Sequence, residues 1–111
     1  MDRILYHYTN EAGYSGILKS KSIRPSLKAN NPKDARFGAG QYLSDITPGS
    51  KRPGQLSMIF FNIPWAGHRF THHININVKG LSVIYGRKHV HLIPNLKPLD
   101  ITERLTGHGK N

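Results

Sequence analysis

One α+β domain, with one main helix and five or six strands in a mostly antiparallel or mixed sheet, is the fold class this sequence predicts. Three observations predict it. The chain has 111 residues, a length that favours a single domain spanning 1–111. From Thr71 to Val78 apolar and polar residues alternate, which is the period of a half-buried strand. Only the stretch after Asn10 carries a capped helical face, whereas several short apolar runs are bounded by Gly or Pro.

The elements follow in chain order. Ile4 to Tyr8 is a short apolar and aromatic run and reads as the first strand. Thr9 or Asn10 then offers an N-cap oxygen, with Glu11 in the first turn. Ala12, Tyr14, Ile17 and Leu18 give a helical face that ends near Lys19–Lys21. Ile23–Arg24–Pro25 leaves the helix extended, because the residue before Pro avoids the helical region. Residues 26–37 are polar, with Asn30, Asn31 and Pro32, and read as a loop. Gln41 to Ser44 is a second strand, introduced by Gly38 and Gly40. Thr47 to Gly54 holds two Pro and two Gly, hence a loop. Met58 to Ile63 reads as a buried strand. The alternating strand from Thr71 puts Ile74, Ile76 and Val78 on one face, and Gly80 breaks it. Leu81–Tyr85 and His89–Ile93 read as two further strands, ended by Pro94 and Pro98. The tail after Thr102 reads as short helix or coil.

Composition closes several routes. Cys is absent, so a disulfide scaffold, a zinc–thiolate site and a Cys nucleophile are excluded. No apolar run approaches the roughly 20 residues of a membrane helix, so no membrane partner is expected. The N-terminus has no apolar signal core and no small-residue cleavage site. Sixteen Lys and Arg against six Asp and Glu give a net charge of +10, and such a surplus attracts polyanions. It serves solubility or the steering of a small anion as readily as nucleic-acid binding. The basic residues are spread, seven in 1–37, three in 38–74 and six in 75–111, so any binding face must be assembled by folding.

Candidate site residues begin with His7, at the end of the first strand. A lone strand His is ordinarily structural. Here it is joined by GAGQYLSD, where Tyr42 follows a Gly-rich approach. Gly38 and Gly40 remove Cβ atoms, which suits a ligand lying close to main chain or, equally, a tight turn feeding a core strand. A Tyr ring is a stacking surface for a flat heterocycle. Two His pairs compete. His72 and His73 are adjacent and point to opposite strand faces. His89 and His91 share a face at a spacing that can ligate zinc, but no acid lies beside them, and no metal is expected. No G-x-S-x-G nucleophile elbow occurs.

LYHYTNEAGYSGILKSKSIRPS followed by GAGQYLSD resembles the NAD-binding half of the ADP-ribosyltransferase superfamily, in its diphtheria-toxin and poly(ADP-ribose) polymerase branch. The spacing of 35 residues from His7 to Tyr42 and the order of the motifs match. Together with DARFGAGQYLSDITPG and GRKHVHLIPNLKPLDI, the chain most resembles the small His-Tyr-Asp signature toxin domains, over about residues 4–103. The resemblance implies a compact split β-sandwich of mostly antiparallel strands with NAD, the co-substrate, in the split. It implies that His7 hydrogen-bonds a ribose hydroxyl, and that the main chain at Tyr8, beside Thr9, holds the nicotinamide amide. Tyr42 would pack on nicotinamide, Ser50 would place a hydroxyl on the amide, and Gly38 and Gly40 would let the strand approach the dinucleotide. Asp45 matches the signature Asp.

Departures from the family pattern shape the remaining expectations. The family's catalytic Glu has no counterpart in Tyr85–His91. Asp100 is the choice for the third catalytic residue, with Asp45 to replace it should Asp100 lie away from the cleft. Pro53 falls where polymerases carry a second stacking Tyr. Phe60, Phe61 or Trp65 could replace that ring, although ordinary core is the favoured reading for all three. The activity expected is nicotinamide release and transfer of ADP-ribose to a macromolecular acceptor, nucleic acid or protein, with NAD hydrolysis as a side reaction. Two alternatives use the same scaffold. One is a non-enzymatic binder of RNA or another polyanion. The other is an RNA 2′-phosphotransferase-like enzyme with a cleft lined by Arg87, Lys88, His89 and His91. A metal-dependent nuclease on His89 and His91 is the weakest reading. Such a domain would be a monomer, would meet a cognate immunity protein, and would act in a target cell's cytoplasm as part of a larger delivered toxin.

Overall fold

The computed structural model describes residues 3–27 and 36–111. Their order is β1 (Ile4–Thr9), α1 (Glu11–Ser20), β2 (Ser22–Ile23), β3 (Gly40–Leu43), α2 (Pro53–Phe61), a short 3-10 turn (Gly67–Arg69), β4 (His72–Asn77), β5 (Ile84–Arg87), β6 (Val90–Pro94), β7 (Leu99–Asp100) and β8 (Leu105–Lys110). The fold is α+β, as the sequence predicts. Its strands form sheets of order β1-β4-β8 and β3-β6-β5 and a small pair β2-β7, with every pairing antiparallel. Among the described residues no helix is long and apolar enough to cross a membrane.

Local signals explain α1. The Asn10 side chain accepts from the Gly13 N–H at 2.8 Å, so Asn10 and not Thr9 is the cap, worth about 1 kcal/mol. Lys21 ends the helix in the left-handed conformation, its N–H donating to Ile17 O. β4 keeps the predicted alternation, with Ile74, Ile76 and Val78 buried. Truncating either fully buried isoleucine to Ala would cost roughly 2–5 kcal/mol.

Three segments differ from expectation. Met58–Ile63 is not a strand, because its first part closes the helix α2. The helix starts upstream of the apolar run. Pro53 occupies its first turn, and the Gln55 side chain accepts from the Arg52 N–H at 2.8 Å. Read from Pro53, Leu56 and Phe60 fall on one helical face. The tail is also not helix or coil, since Leu105–Lys110 forms β8 against β4. Gly107 and Gly109 lie opposite Asn75 and His73, and a Cβ there would stand 3.1 Å from Asn75 Nδ2 and 3.3 Å from His73 Nε2. The glycines that read as coil formers make room for the polar side chains of β4. The β5–β6 hairpin is shifted as well. Lys88–His89 is its two-residue turn, so β5 begins at Ile84 and not at Leu81. The loop expected over 26–37 includes 28–35, which lies outside the described residues. Ser26, on its near side, exchanges backbone hydrogen bonds with Gly40.

β1 lies between two cores. Leu5 packs with Ile17, Leu43, Ile74, Ile76 and Ile93. From the other face Tyr8 packs with Ile46, Leu56 and Phe70. β1 also joins the two large sheets. Tyr6 and Ser44 exchange N–H···O bonds of 2.9 and 2.7 Å, and beyond this bridge β1 and β3 part.

Candidate active site

The parting of β1 and β3 creates a cleft of about 240 Å³. A continued antiparallel ladder would place Tyr8 opposite Tyr42, two residues beyond the Tyr6–Ser44 bridge on each strand. His7 takes that place. Its Nδ1 donates to the Tyr42 carbonyl at 3.0 Å, where a ladder would have used the Tyr8 N–H. Within a strand, alternate backbone groups point the same way. The N–H and C=O of Tyr8 therefore face the split, like those of Tyr6, without Tyr42 to satisfy them.

The bond to Tyr42 also fixes the chemistry of His7. Burial lowers its pKa from the ordinary 6.5, and the hydrogen bond to the Tyr42 carbonyl only partly opposes this. The ring is neutral at pH 7 with its proton on Nδ1, so Nε2 presents a lone pair. That is the state needed to accept a hydrogen bond from a hydroxyl in the cleft.

Tyr42 is half-buried on the opposite wall. Its hydroxyl donates to Gly38 O at 2.6 Å and accepts from Phe37 N at 2.9 Å. The phenol thus ties down the turn that brings Arg36 and Phe37 to the cleft, and leaves its ring along the wall. Burial raises the Tyr42 pKa, with the Phe37 N–H opposing, so the phenol stays protonated. Tyr8 contributes main chain only. Its own hydroxyl donates to Ile46 O at 2.7 Å within the second core, and burial holds the phenol far above its usual range.

The remaining walls are aromatic and cationic. Phe60, Phe61 and Phe70 line the inner side. Phe60 and Phe61 serve the second core and the cleft together, whereas Trp65, expected in the core, is 73% exposed and lines no part of the cleft. Arg36, Arg69 and Arg87 also line it. Arg87 Nη2 donates to Phe60 O at 2.6 Å, and Arg69 lies 4.7 Å from the centre of the Phe61 ring. No carboxylate lines the cleft among the described residues. Three guanidinium groups beside aromatic rings, with no acid between them among the described residues, are a lining whose chemistry suits an anion that carries a flat ring.

The sequence-predicted residues divide accordingly. His7, Tyr8, Thr9 and Tyr42 meet at the cleft. Asp100 does not come to it. On β7 its carboxylate accepts from the Thr102 N–H and Oγ1 at 2.9 and 2.6 Å, bonds that lower its pKa. Ser50 is exposed on the loop before α2, donating to Thr47 O. Pro53 is spent on starting that helix. Gly38 and Gly40 lie outside the lining. A Cβ on Gly40 would fall 2.0 Å from Ile93 O at a φ of +151°, so this glycine serves the β3–β6 contact. Asp45 lies beside the cleft, bonded to His89 Nδ1 at 2.7 Å and His91 Nε2 at 2.9 Å. Burial raises its pKa, but the bonds from His91 and His89 outweigh that and the net shift is downward. His89 and His91 therefore share a carboxylate, and of the basic stretch 87–91 only Arg87 and Val90 reach the cleft. His72 stacks near Tyr14, with ring centres 4.7 Å apart, and His73 bonds Asn75. No group of three His, Asp or Glu converges as a metal site among the described residues.

Sequence reasoning missed Arg36, Arg69, Phe37 and Phe70. Nothing in their local pattern marks them, since two separate segments, Arg36–Phe37 and Arg69–Phe70, bring them to the cleft.

The family model Tox-ART-HYD1, described as HYD1 signature containing ADP-ribosyltransferase, matches residues 5–105. No curated protein and no solved structure matches the chain.

Proposed function

Because the chain belongs to the Tox-ART-HYD1 family of toxin ADP-ribosyltransferases, we propose that its cleft binds NAD, releases nicotinamide and transfers ADP-ribose to a macromolecular acceptor. The observation that carries this is the interrupted ladder, with His7 Nδ1 on Tyr42 O at 3.0 Å and the Tyr8 amide and carbonyl left open beside it. A carboxamide needs one donor and one acceptor on adjacent atoms, and the Tyr8 N–H and C=O offer that pair. The Tyr42 ring covers a pyridinium face, a favourable pairing of a flat cation with an aromatic surface. Neutral His7 accepts from a ribose hydroxyl through Nε2. Arg36, Arg69 and Arg87 meet the pyrophosphate.

In the reaction the bond between ribose C1 and the nicotinamide nitrogen breaks, and its electron pair leaves with nicotinamide, which becomes neutral. A lone pair on the acceptor forms the new bond to C1, and the acceptor's proton passes to solvent. The chain's part is to hold the ring and ribose still while charge moves from one to the other. Among the described residues no carboxylate lines the cleft, a lining that suits an acceptor already nucleophilic in its own right.

The test is release of nicotinamide from NAD by the purified protein, offered RNA, DNA and cell lysate as acceptors. Absence of release with every acceptor overturns the reading. The arginine-lined cleft, to which no described residue adds a carboxylate, favours one second reading, action on a phosphate as in RNA 2′-phosphotransferases. That reading predicts NAD consumption only when a 2′-phosphorylated RNA is supplied.

A further inference from the structure

The β3–β6 ladder ends at the pair Leu43–His91. Continued two residues further it would bring Asp45 opposite His89, but there the strands are linked by side chains instead. Asp45 Oδ1 accepts from His89 Nδ1 at 2.7 Å, and Oδ2 accepts from His91 Nε2 at 2.9 Å. Both carboxylate oxygens are engaged, and each imidazole needs only one N–H to do so. His89 holds a left-handed φ of 70° in the Lys88–His89 turn, a conformation that non-glycine residues adopt at a cost. The residues flanking this turn, Arg87 and Val90, both line the cleft. The Asp45 side chain is 44% exposed and lies outside the lining. Its predecessor Ser44 is the residue bridged to Tyr6 at the base of the split.

We propose that Asp45 is a positioning residue, which fastens the β5–β6 turn to the end of β3 through two imidazoles and so holds the Arg87 guanidinium at the cleft. The carboxylate is occupied on both oxygens and is no part of the cleft lining, so it acts through Arg87 and not on the substrate. The Arg87 guanidinium already donates to Phe60 O, and Asp45 adds a tie for the turn that carries it, placed where the β3–β6 ladder ends. The kinetic part of the test rests on the proposed use of the cleft for NAD; the spectroscopic part does not.

In the kinetic arm, D45A raises KM for NAD about tenfold, the scale of one charge-assisted hydrogen bond, and kcat stays within about threefold. In an R87A background the same substitution changes KM less than about twofold. D45N retains an acceptor oxygen and recovers part of the loss. In the spectroscopic arm, the Arg87 Nη2–H resonance of the ligand-free protein, held by its bond to Phe60 O, loses its protection from exchange in D45A. H89G, which removes one bond and the backbone cost together, gives a smaller change and serves if D45A does not fold. Multiplicative KM effects in D45A/R87A, a large loss of kcat at unchanged KM, or an Arg87 signal indifferent to both D45A and H89G would each overturn the proposal. If the wild-type protein releases no nicotinamide, the reading of the cleft fails, and the Arg87 resonance still decides the role of Asp45.

Discussion

His7 and Tyr42, 35 residues apart, are joined by one hydrogen bond from an imidazole Nδ1 to a main-chain carbonyl, at 3.0 Å. The bond stands where two strands would otherwise have zipped together, so it keeps the cleft open and sets the tautomer of the ring within it. His7→Ala is expected to lower nicotinamide release about 100-fold, the scale of losing one preorganised hydrogen bond in a transition state. It should also destabilise the fold by about 1–3 kcal/mol, because the Tyr42 carbonyl loses its donor. Single-turnover kinetics and denaturant melts separate the two effects.

The pH dependence follows from the same ring. Burial lowers the His7 pKa below 6.5, so the unfolded chain binds a proton that the folded one refuses. His7 adds no pH dependence to stability above 6.5. As pH falls below 6.5 toward the lowered folded value, it destabilises progressively. The acid limb of kcat/KM should likewise lie below pH 6.5, since protonation removes the Nε2 lone pair. A limb above that pH would show that another group controls the reaction.

Tyr42 carries two separable roles. Tyr42→Phe keeps the ring but releases Phe37 N and Gly38 O, which the hydroxyl holds at 2.9 and 2.6 Å. KM for NAD should rise several-fold, on the order of two neutral hydrogen bonds, with kcat nearly unchanged. Amide exchange at Phe37 should quicken. Tyr42→Ala also removes the stacking face, and its loss of kcat/KM should be clearly larger.

Arg36→Gln should weaken NAD binding about tenfold by losing a charge-assisted bond, and should flatten the salt dependence of binding. Isothermal titration at two ionic strengths measures both. Chelation with EDTA should leave nicotinamide release unchanged, whereas a nuclease on His89 and His91 would lose its activity.

Gly40→Ala would place a Cβ 2.0 Å from Ile93 O at a φ of +151°. The Cβ meets backbone and not a yielding side chain, so the loss should exceed about 2 kcal/mol. A thermal melt reads it directly. A neutral result would mean that β3 can shift away from β6.

Much of the fold was legible because local signals and tertiary structure agreed. Asn10 caps α1, and Ile74, Ile76 and Val78 face inward as their alternation demands. α2 was misread because its start signals, Pro53 and Gln55, lie upstream of the apolar residues that resemble a strand. β8 was misread because Gly107 and Gly109 have low strand propensity, and their value appears only against Asn75 and His73. At the site, His7 and Tyr42 were visible because two strands carry them in a spaced motif. Ser50 rested on its distance from Tyr42 and Asp100 on being one of two late acids, and Thr47 and Thr102 hold them elsewhere. Arg36 and Arg69 could not be found, since only folding brings their loops together.

β1 sends Leu5 into one interior and Tyr8 into another, with His7 and the Tyr8 main chain between them. Its reading frame is therefore locked. Inserting or deleting a single amino acid between Leu5 and Tyr8 would turn one of the two to the wrong face. Length variation among natural or engineered versions of this domain must fall outside that hexapeptide.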